Sequence, residues 1–267
     1  MKAFPAFGIL LKNRGQKKTL FDLLEKSSGL PGPRANLELM YSFARSVASM
    51  SLLEWQWEVI VEMASISPSK APANTPKEYL PVCGIVAMGA LLAQGLPRPR
   101  KRAALGAIRK AASDPRWRSR EAAAMALQLI GEKDPAALRD IVGQWLPGAA
   151  LLEMRAIAAG LAHPPLLGDA DFTLFCLETS RTILKEAART PAASRRRDDF
   201  RVLRQGLGYA LSVFAEKSPR EGFRLLEETA SSGDADLQWI VRENLKKNRL
   251  VGKYPEDVRR VASLLER

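Results

Sequence analysis

Apolar residues recur at helical spacing along most of the chain. In residues 101–112, Leu105, Ile108 and Ala112 stand at positions i, i+3 and i+7 and so share one helical face. No alternation of apolar and polar residues and no hairpin turn indicates a strand. The pattern predicts an all-α protein, with further helices at 18–26, 34–50, 51–66 and 121–130.

The segment 121–130, EAAAMALQLI, is apolar on nearly every side. Such a helix must be covered from several directions, as the inner helix is in a stack of helix pairs. Asp114-Pro115 and Asp134-Pro135 are typical of helix starts, where aspartate caps the helix and proline takes its first position. We therefore expect stacked helix pairs, with a linker at 66–76.

An internal repeat is visible in the sequence. Residues 114–121 and 236–243 share the pattern D-x-x-W-x-x-R-E, and weaker copies surround two further arginines. The aligned arginines are Arg120, Arg155, Arg204 and Arg242, at spacings of 35, 49 and 38 residues. These spacings suit a two-helix repeat with one insertion, which we place in the loop 190–197.

These features resemble HEAT repeats, best in residues 101–135 and 234–250. DPRWRSREAAAMALQ and DADLQWIVRENLKKNRL are most similar to the bacterial HEAT-like group that includes DNA alkylation-repair glycosylases. The resemblance covers about residues 100–267. It implies an α-α superhelix of antiparallel helix pairs, in one domain over 1–267, with less regular helices at 1–80 and repeats at 81–267. It also implies a role in DNA repair.

Glycosylases of that group use aromatic residues and an acidic residue on the concave face. No tryptophan-and-aspartate cluster of that kind is evident here, so no catalytic residue is carried over. The candidate carboxylates near the aligned arginines are Asp114, Glu121, Asp198, Asp236 and Glu243. An alkyl-base DNA glycosylase remains one alternative function, and a protein-interaction scaffold is another.

Charge points to the class of partner. Lys and Arg total 41 against 29 Asp and Glu, which gives a net charge of +12 and a pI near 10.0. This excess favours a polyanion, with DNA preferred over RNA, although a general compositional bias toward arginine would also produce it. We expect the repeats to bring their basic residues into a row on the concave face.

The expected contact residues combine arginine, which binds phosphate bidentately, with tryptophan, which stacks on bases. The alternative for these arginines is a structural pairing with aspartate, and for the tryptophans a packing role between repeats. The predicted nucleic-acid-binding residues are Arg116, Trp117, Arg118, Arg120, Arg155, Arg197, Arg201, Arg204, Trp239, Arg242, Lys246 and Arg249.

Other chemistry is sparsely represented. Cys83 and Cys176 are expected to be reduced and buried, and His163, the only histidine, is expected at a helix end. The sequence shows no clustered metal ligands, no phosphate-binding or dinucleotide-binding glycine pattern and no apolar span of membrane length. No signal peptide is evident. We expect no cofactor, no metal, no membrane partner and a cytoplasmic location.

Overall fold

The computed structural model describes residues 7–266, so Met1–Ala6, part of the segment examined for a signal peptide, lies outside the described residues. Over this range the secondary structure is helical, without a strand, which confirms the all-α prediction. The helices are α1 (Phe7–Leu10), α2 (Lys17–Lys26), α3 (Leu37–Ala48), α4 (Glu54–Ala64), α5 (Tyr79–Gln94), α6 (Arg98–Ala112), α7 (Trp117–Lys133), α8 (Pro135–Trp145), α9 (Leu151–Leu161), α10 (Ala170–Arg189), α11 (Asp198–Lys217), α12 (Pro219–Ala230), α13 (Ala235–Leu245), α14 (Asn248–Val251) and α15 (Pro255–Leu264). Short 3-10 helices lie at Arg14–Gln16, Pro76–Glu78, Pro164–Gly168 and Ser194–Arg196.

The chain folds into two compact units, the first ending at Leu138 and the second beginning at Arg139. In the first unit α5 packs against α3, α4, α6 and α7. In the second unit α11 packs against α9, α10, α12 and α13. Within each unit, alternate helices therefore lie side by side and form a layer. The helices between them pack against this layer.

Helix α5 forms the centre of the first unit. Every residue from Tyr79 to Leu91 is buried, because neighbouring helices cover the helix on several sides. Two glycines allow the closest of these contacts. A Cβ on Gly84 would lie 2.5 Å from the backbone nitrogen of Ala64 in α4, and a Cβ on Gly89 would lie 2.5 Å from the Cα of Ala126 in α7.

Helix α11 forms the centre of the second unit and is joined to α13 by a buried amide. Asn244 is fully buried. Its Oδ1 accepts a hydrogen bond from the Ser212 backbone nitrogen at 2.7 Å, and its Nδ2 donates to the Leu207 carbonyl at 2.8 Å. Both polar ends of the side chain are thus satisfied by the neighbouring helix, as burial of an amide requires.

Several local predictions are confirmed. Residues 66–75 are not helical, as expected of the linker, although it lies within the first unit. Proline begins α8, and the Asp134 carboxylate accepts the Ala137 N–H at 2.9 Å. Cys83 and Cys176 are free and buried.

The predicted helix start at Asp114-Pro115 is wrong. Helix α7 begins at Trp117, because the Asp114 carboxylate instead accepts the Arg116 backbone N–H at 2.8 Å and forms a turn ahead of the helix.

Candidate nucleic-acid interface

The two strongest copies of the sequence repeat occupy different positions in their helices. Trp117 is the first residue of α7, whereas Trp239 lies one turn inside α13. The cause is the cap of α13, which is Asp234 and not Asp236. The Asp234 carboxylate accepts the backbone N–H groups of Asp236 at 2.9 Å and Leu237 at 3.1 Å. The two tryptophans are therefore not structurally equivalent.

Arg116 was predicted to contact phosphate, but the structure buries it. Its guanidinium binds the Asp114 carboxylate at 2.7 Å and donates to the carbonyls of Ile66 at 3.0 Å and Ala71 at 3.1 Å. Only 4% of the side chain is exposed. Arg116 thus ties the start of α7 to the loop before α5, and its donors are already used.

Arg118 is likewise withdrawn from solvent, contrary to the prediction. Its Nη1 lies 3.0 Å from Oε2 of the fully buried Glu78, and its Nη2 donates to the Gly32 carbonyl at 2.6 Å. The Trp117 ring lies over this guanidinium at 4.5 Å and is itself 47% exposed. The ion pair therefore positions the tryptophan, which remains open to a ligand.

Arg120 and Arg155 are half-buried. Arg120 donates to the carbonyls of Asp114 at 2.8 Å and Pro115 at 3.0 Å. Arg155 packs against Gly206 of α11, where its Cγ would lie 3.0 Å from a Cβ. Both side chains therefore stabilise the packing around their own helices.

Two predicted arginines, Arg197 just before α11 and Arg201 within it, are exposed but lie close to aspartates on the same segment. Arg197 lies 3.2 Å from the Asp199 carboxylate, and Arg201 lies 2.9 Å from that of Asp198. Exposed pairs of this kind are weak, yet each carboxylate offsets the positive charge that a phosphate would meet.

Arg204 is half-buried between α11 and α13 of the second unit. It forms an ion pair with Asp236, and its guanidinium lies 4.5 Å from the Trp239 ring centroid. The same ring packs against Gly208, whose Cβ, if present, would lie 3.2 Å from it. Arg204 and Trp239 thus join α11 to α13, which is the structural alternative foreseen for them.

The last predicted residues lie near the C-terminal helices. Arg242 is exposed and donates to the Leu265 carbonyl at 3.2 Å, while Lys246 pairs with Glu243 at 2.6 Å. Arg249 donates to the hydroxyl of Tyr209 at 2.8 Å and lies 4.7 Å from its ring centroid. Arg249 thus contacts an aromatic side chain, whereas Arg242 contacts a carbonyl and Lys246 a carboxylate.

The positive charge is concentrated in the unit that holds fewer of the predicted residues. Residues 1–138 contain 20 Lys and Arg against 11 Asp and Glu, a balance of +9. Residues 139–267 contain 21 against 18, a balance of +3. The excess of positive charge therefore lies mainly in the first unit.

Helix α6 accounts for most of this excess. It carries six basic residues and no acidic one. Four of them are exposed and form no ion pair or hydrogen bond through the side chain with any described residue: Arg98, Lys101, Arg102 and Lys110. We call these four residues the basic face of α6. The sequence alone indicates this positive charge, since the segment 79–113 has no acidic residue. The repeat alignment instead placed most of the predicted site in other helices.

Most candidate carboxylates for the glycosylase alternative are engaged by basic side chains. The pairs are Asp114 with Arg116, Asp198 with Arg201, Asp236 with Arg204, and Glu243 with Lys246. These contacts fit structural roles for the four carboxylates. The fifth candidate, Glu121, lines a small cavity beside Trp117.

Other kinds of site have little support in the described part of the chain. Histidine, cysteine and acidic side chains form no group of three that would hold a metal ion within residues 7–266. Burial raises the pKa of both thiols, to about 12 for Cys176, which keeps them protonated and unreactive. No helix in the same range is long and apolar enough to cross a membrane.

Comparison of the chain with known protein families and with curated proteins gave no match.

Proposed function

We propose that this protein binds nucleic acid, DNA in preference to RNA, through phosphate contacts made by the basic face of α6. The observation that carries the proposal is uncompensated charge. Arg98, Lys101, Arg102 and Lys110 are exposed on one helix, and no carboxylate of the described chain pairs with them. Most of the arginines chosen from the repeat, by contrast, already have carboxylate or carbonyl partners.

The dimensions of this face suit a nucleic-acid backbone. At about 100° per residue, three of its four residues, Arg98, Arg102 and Lys110, project within about 120° of one another around the helix. At about 1.5 Å per residue, they span about 18 Å along its axis. One strand of a duplex carries a phosphate every 3.4 Å or so, which places about five phosphates opposite the row. Such contacts fix position and do not read sequence.

The proposal includes a HEAT-like architecture, in which antiparallel helix pairs stack within each unit. The side-by-side packing of alternate helices within each unit supports it, together with the resemblance to the alkylation-repair group. That resemblance makes duplexes containing alkylated bases the first ligands to examine.

The decisive experiment is charge reversal on α6 with a matched control. Arg98→Glu/Arg102→Glu is compared with Lys185→Glu/Lys217→Glu, which changes the net charge equally. Lys185 and Lys217 are exposed residues of the second unit that also form no ion pair with described residues. Affinity for a labelled 20-base-pair duplex is measured by fluorescence anisotropy across a range of salt concentrations.

The α6 variant is expected to bind at least about tenfold more weakly, and its salt slope should fall by about 1.8, since each lost phosphate contact contributes about 0.9. The control should stay within about threefold of wild type. Equally weakened binding in both variants would show that the effect comes from net charge and not from this face. Unchanged binding of the α6 variant would reject this face and favour the protein-interaction scaffold.

A further inference from the structure

A small apolar cavity opens beside the first turn of α7 in the first unit. Its volume is about 180 Å³, and Pro33, Leu37, Val82, Trp117 and Met125 line it. Two of these are among the most exposed large apolar side chains of the described protein, Trp117 at 47% and Leu37 at 46%. We call this cavity the Trp117 slot. Arg118 and Glu121 also line the slot, but most of its accessible wall is apolar, as a ligand site requires.

The indole that forms one wall is held in place from below. Arg118 lies against the Trp117 ring at 4.5 Å and is fixed by Glu78 at 3.0 Å and by the Gly32 carbonyl at 2.6 Å. Gly32 is also held through its N–H, which donates to the Asn74 side chain at 3.1 Å. Because Arg118 and Glu78 are buried and these groups are bonded to one another, the slot exists before a ligand arrives, which lowers the entropic cost of binding.

A free cation stands at the edge of the slot. Arg34 lines the cavity, is exposed, and forms no ion pair or hydrogen bond through its side chain with described residues. An aromatic wall next to an unpaired guanidinium suits a ligand that joins a planar ring to an anion. The volume is below the usual 300–1,000 Å³ or so of drug-sized pockets, which limits the ring to one of nucleobase size.

We propose that the Trp117 slot receives a single unpaired base of a nucleic-acid strand, with the base stacked on Trp117 and the adjacent phosphate paired with Arg34. This inference rests on the proposed function and deepens it. Helix α6 packs against α7, at whose start the slot lies, so the backbone contacts and the base contact belong to one unit. Paired bases in a duplex are not available to the slot, so single strands should profit most.

The test compares a labelled 20-nucleotide oligothymidylate with a 20-base-pair duplex, using the full-length chain. Trp117→Leu removes the aromatic face, and Trp117→Phe keeps one. The matched control is Leu53→Ala, which alters another exposed apolar residue of the same unit, 60% exposed and outside the slot. Thermal unfolding of each variant accompanies the binding measurements.

Stacking on an aromatic side chain contributes about 1–3 kcal/mol per base, so Trp117→Leu should weaken single-strand binding about 5- to 150-fold. Trp117→Phe should stay within about threefold of wild type, and the duplex affinity of every variant within about twofold. A second variant, Arg34→Gln, should lower the single-strand salt slope by about 0.7. This variant changes an exposed side chain without partners and tests the slot even if Trp117→Leu unfolds.

The inference and the proposed function fail in different ways. If Trp117→Leu binds the single strand as tightly as wild type does, the proposal for the slot is wrong and the α6 interface is unaffected. If Trp117→Leu is unfolded, an unchanged salt slope in Arg34→Gln leads to the same conclusion. Equal weakening of duplex and single strand by Trp117→Leu also overturns it, because base stacking would not act on paired bases. Failure of wild type to bind either probe overturns both proposals. Capture of a protein through Trp117, without an effect on oligothymidylate, would assign the slot to a protein side chain instead.

Discussion

Nη1 of Arg118 lies 3.0 Å from Oε2 of Glu78, and both side chains are withdrawn from solvent. Removing one partner of such a buried pair leaves an uncompensated charge, which costs about 3–5 kcal/mol. We therefore expect Arg118→Met to lower the free energy of unfolding by about that amount in urea denaturation. Arg102→Met, at an exposed position of α6, should change it by less than about 0.5 kcal/mol. A similar small change in both variants would contradict a structural role for the pair.

The approach of α5 to α7 gives a second prediction. A Cβ at Gly89 would meet the Cα of Ala126 at 2.5 Å, whereas a Cβ at Gly106 of α6 would have no neighbour within 4 Å. Gly89→Ala should therefore destabilise the first unit by about 1–3 kcal/mol through overpacking. Gly106→Ala should stabilise it by about 0.5–1 kcal/mol, because alanine loses less entropy in a helix. Thermal or urea unfolding checks both signs, and a stabilised Gly89→Ala would show that the two helices are not in this contact.

The carboxylate of Asp234 gives the pH dependence of the second unit. Burial pulls its pKa upward, but the Arg195 guanidinium at 2.7 Å and the backbone N–H groups of Leu237 and Asp236 together hold the pKa below its ordinary value of 3.8. A carboxylate with a lowered folded pKa stabilises the fold fully above its unfolded pKa. That contribution is lost as pH falls through the lower folded pKa.

Stability should accordingly fall below about pH 4, and Asp234→Asn should flatten this part of the profile. Asparagine also caps helices well, so the variant removes the charge while keeping the start of α13. Urea denaturation between pH 2.5 and 6 measures the difference. An identical acid dependence in wild type and variant would remove Asp234 from the explanation.

Helices were predictable from the sequence because the spacing of apolar residues is a local property of the chain. The helix at 101–112 was found to begin only a few residues earlier, at Arg98, and the inner helix at 121–130 lies within α7. The partners of the arginines were not predictable in this way. Glu78 lies 40 residues from Arg118, and Asp236 lies 32 residues from Arg204. No local spacing marks such pairs.

The repeat motif also aligned arginines that are not structurally equivalent, because it compares residue types and not positions within a helix. Arg120, Arg155, Arg204 and Arg242 are the fourth, fifth, seventh and eighth residues of their helices. Helix starts are set by caps such as Asp234, which lie outside the aligned pattern. A simpler signal, the absence of any acidic residue in α6, identified the exposed charge better than the repeat did.

Two single neutralisations distinguish the interface that the repeat predicts from the basic face of α6. Arg102→Gln removes an exposed cation without an ionic partner, whereas Arg201→Gln removes one that lies 2.9 Å from Asp198. The net charge changes equally. If phosphates lie along α6, Arg102→Gln should reduce the slope of log affinity against log salt by about 0.9 for a duplex, and Arg201→Gln should leave it nearly unchanged. The opposite order would place the phosphates along α11, because only a cation that releases counterions on binding affects that slope.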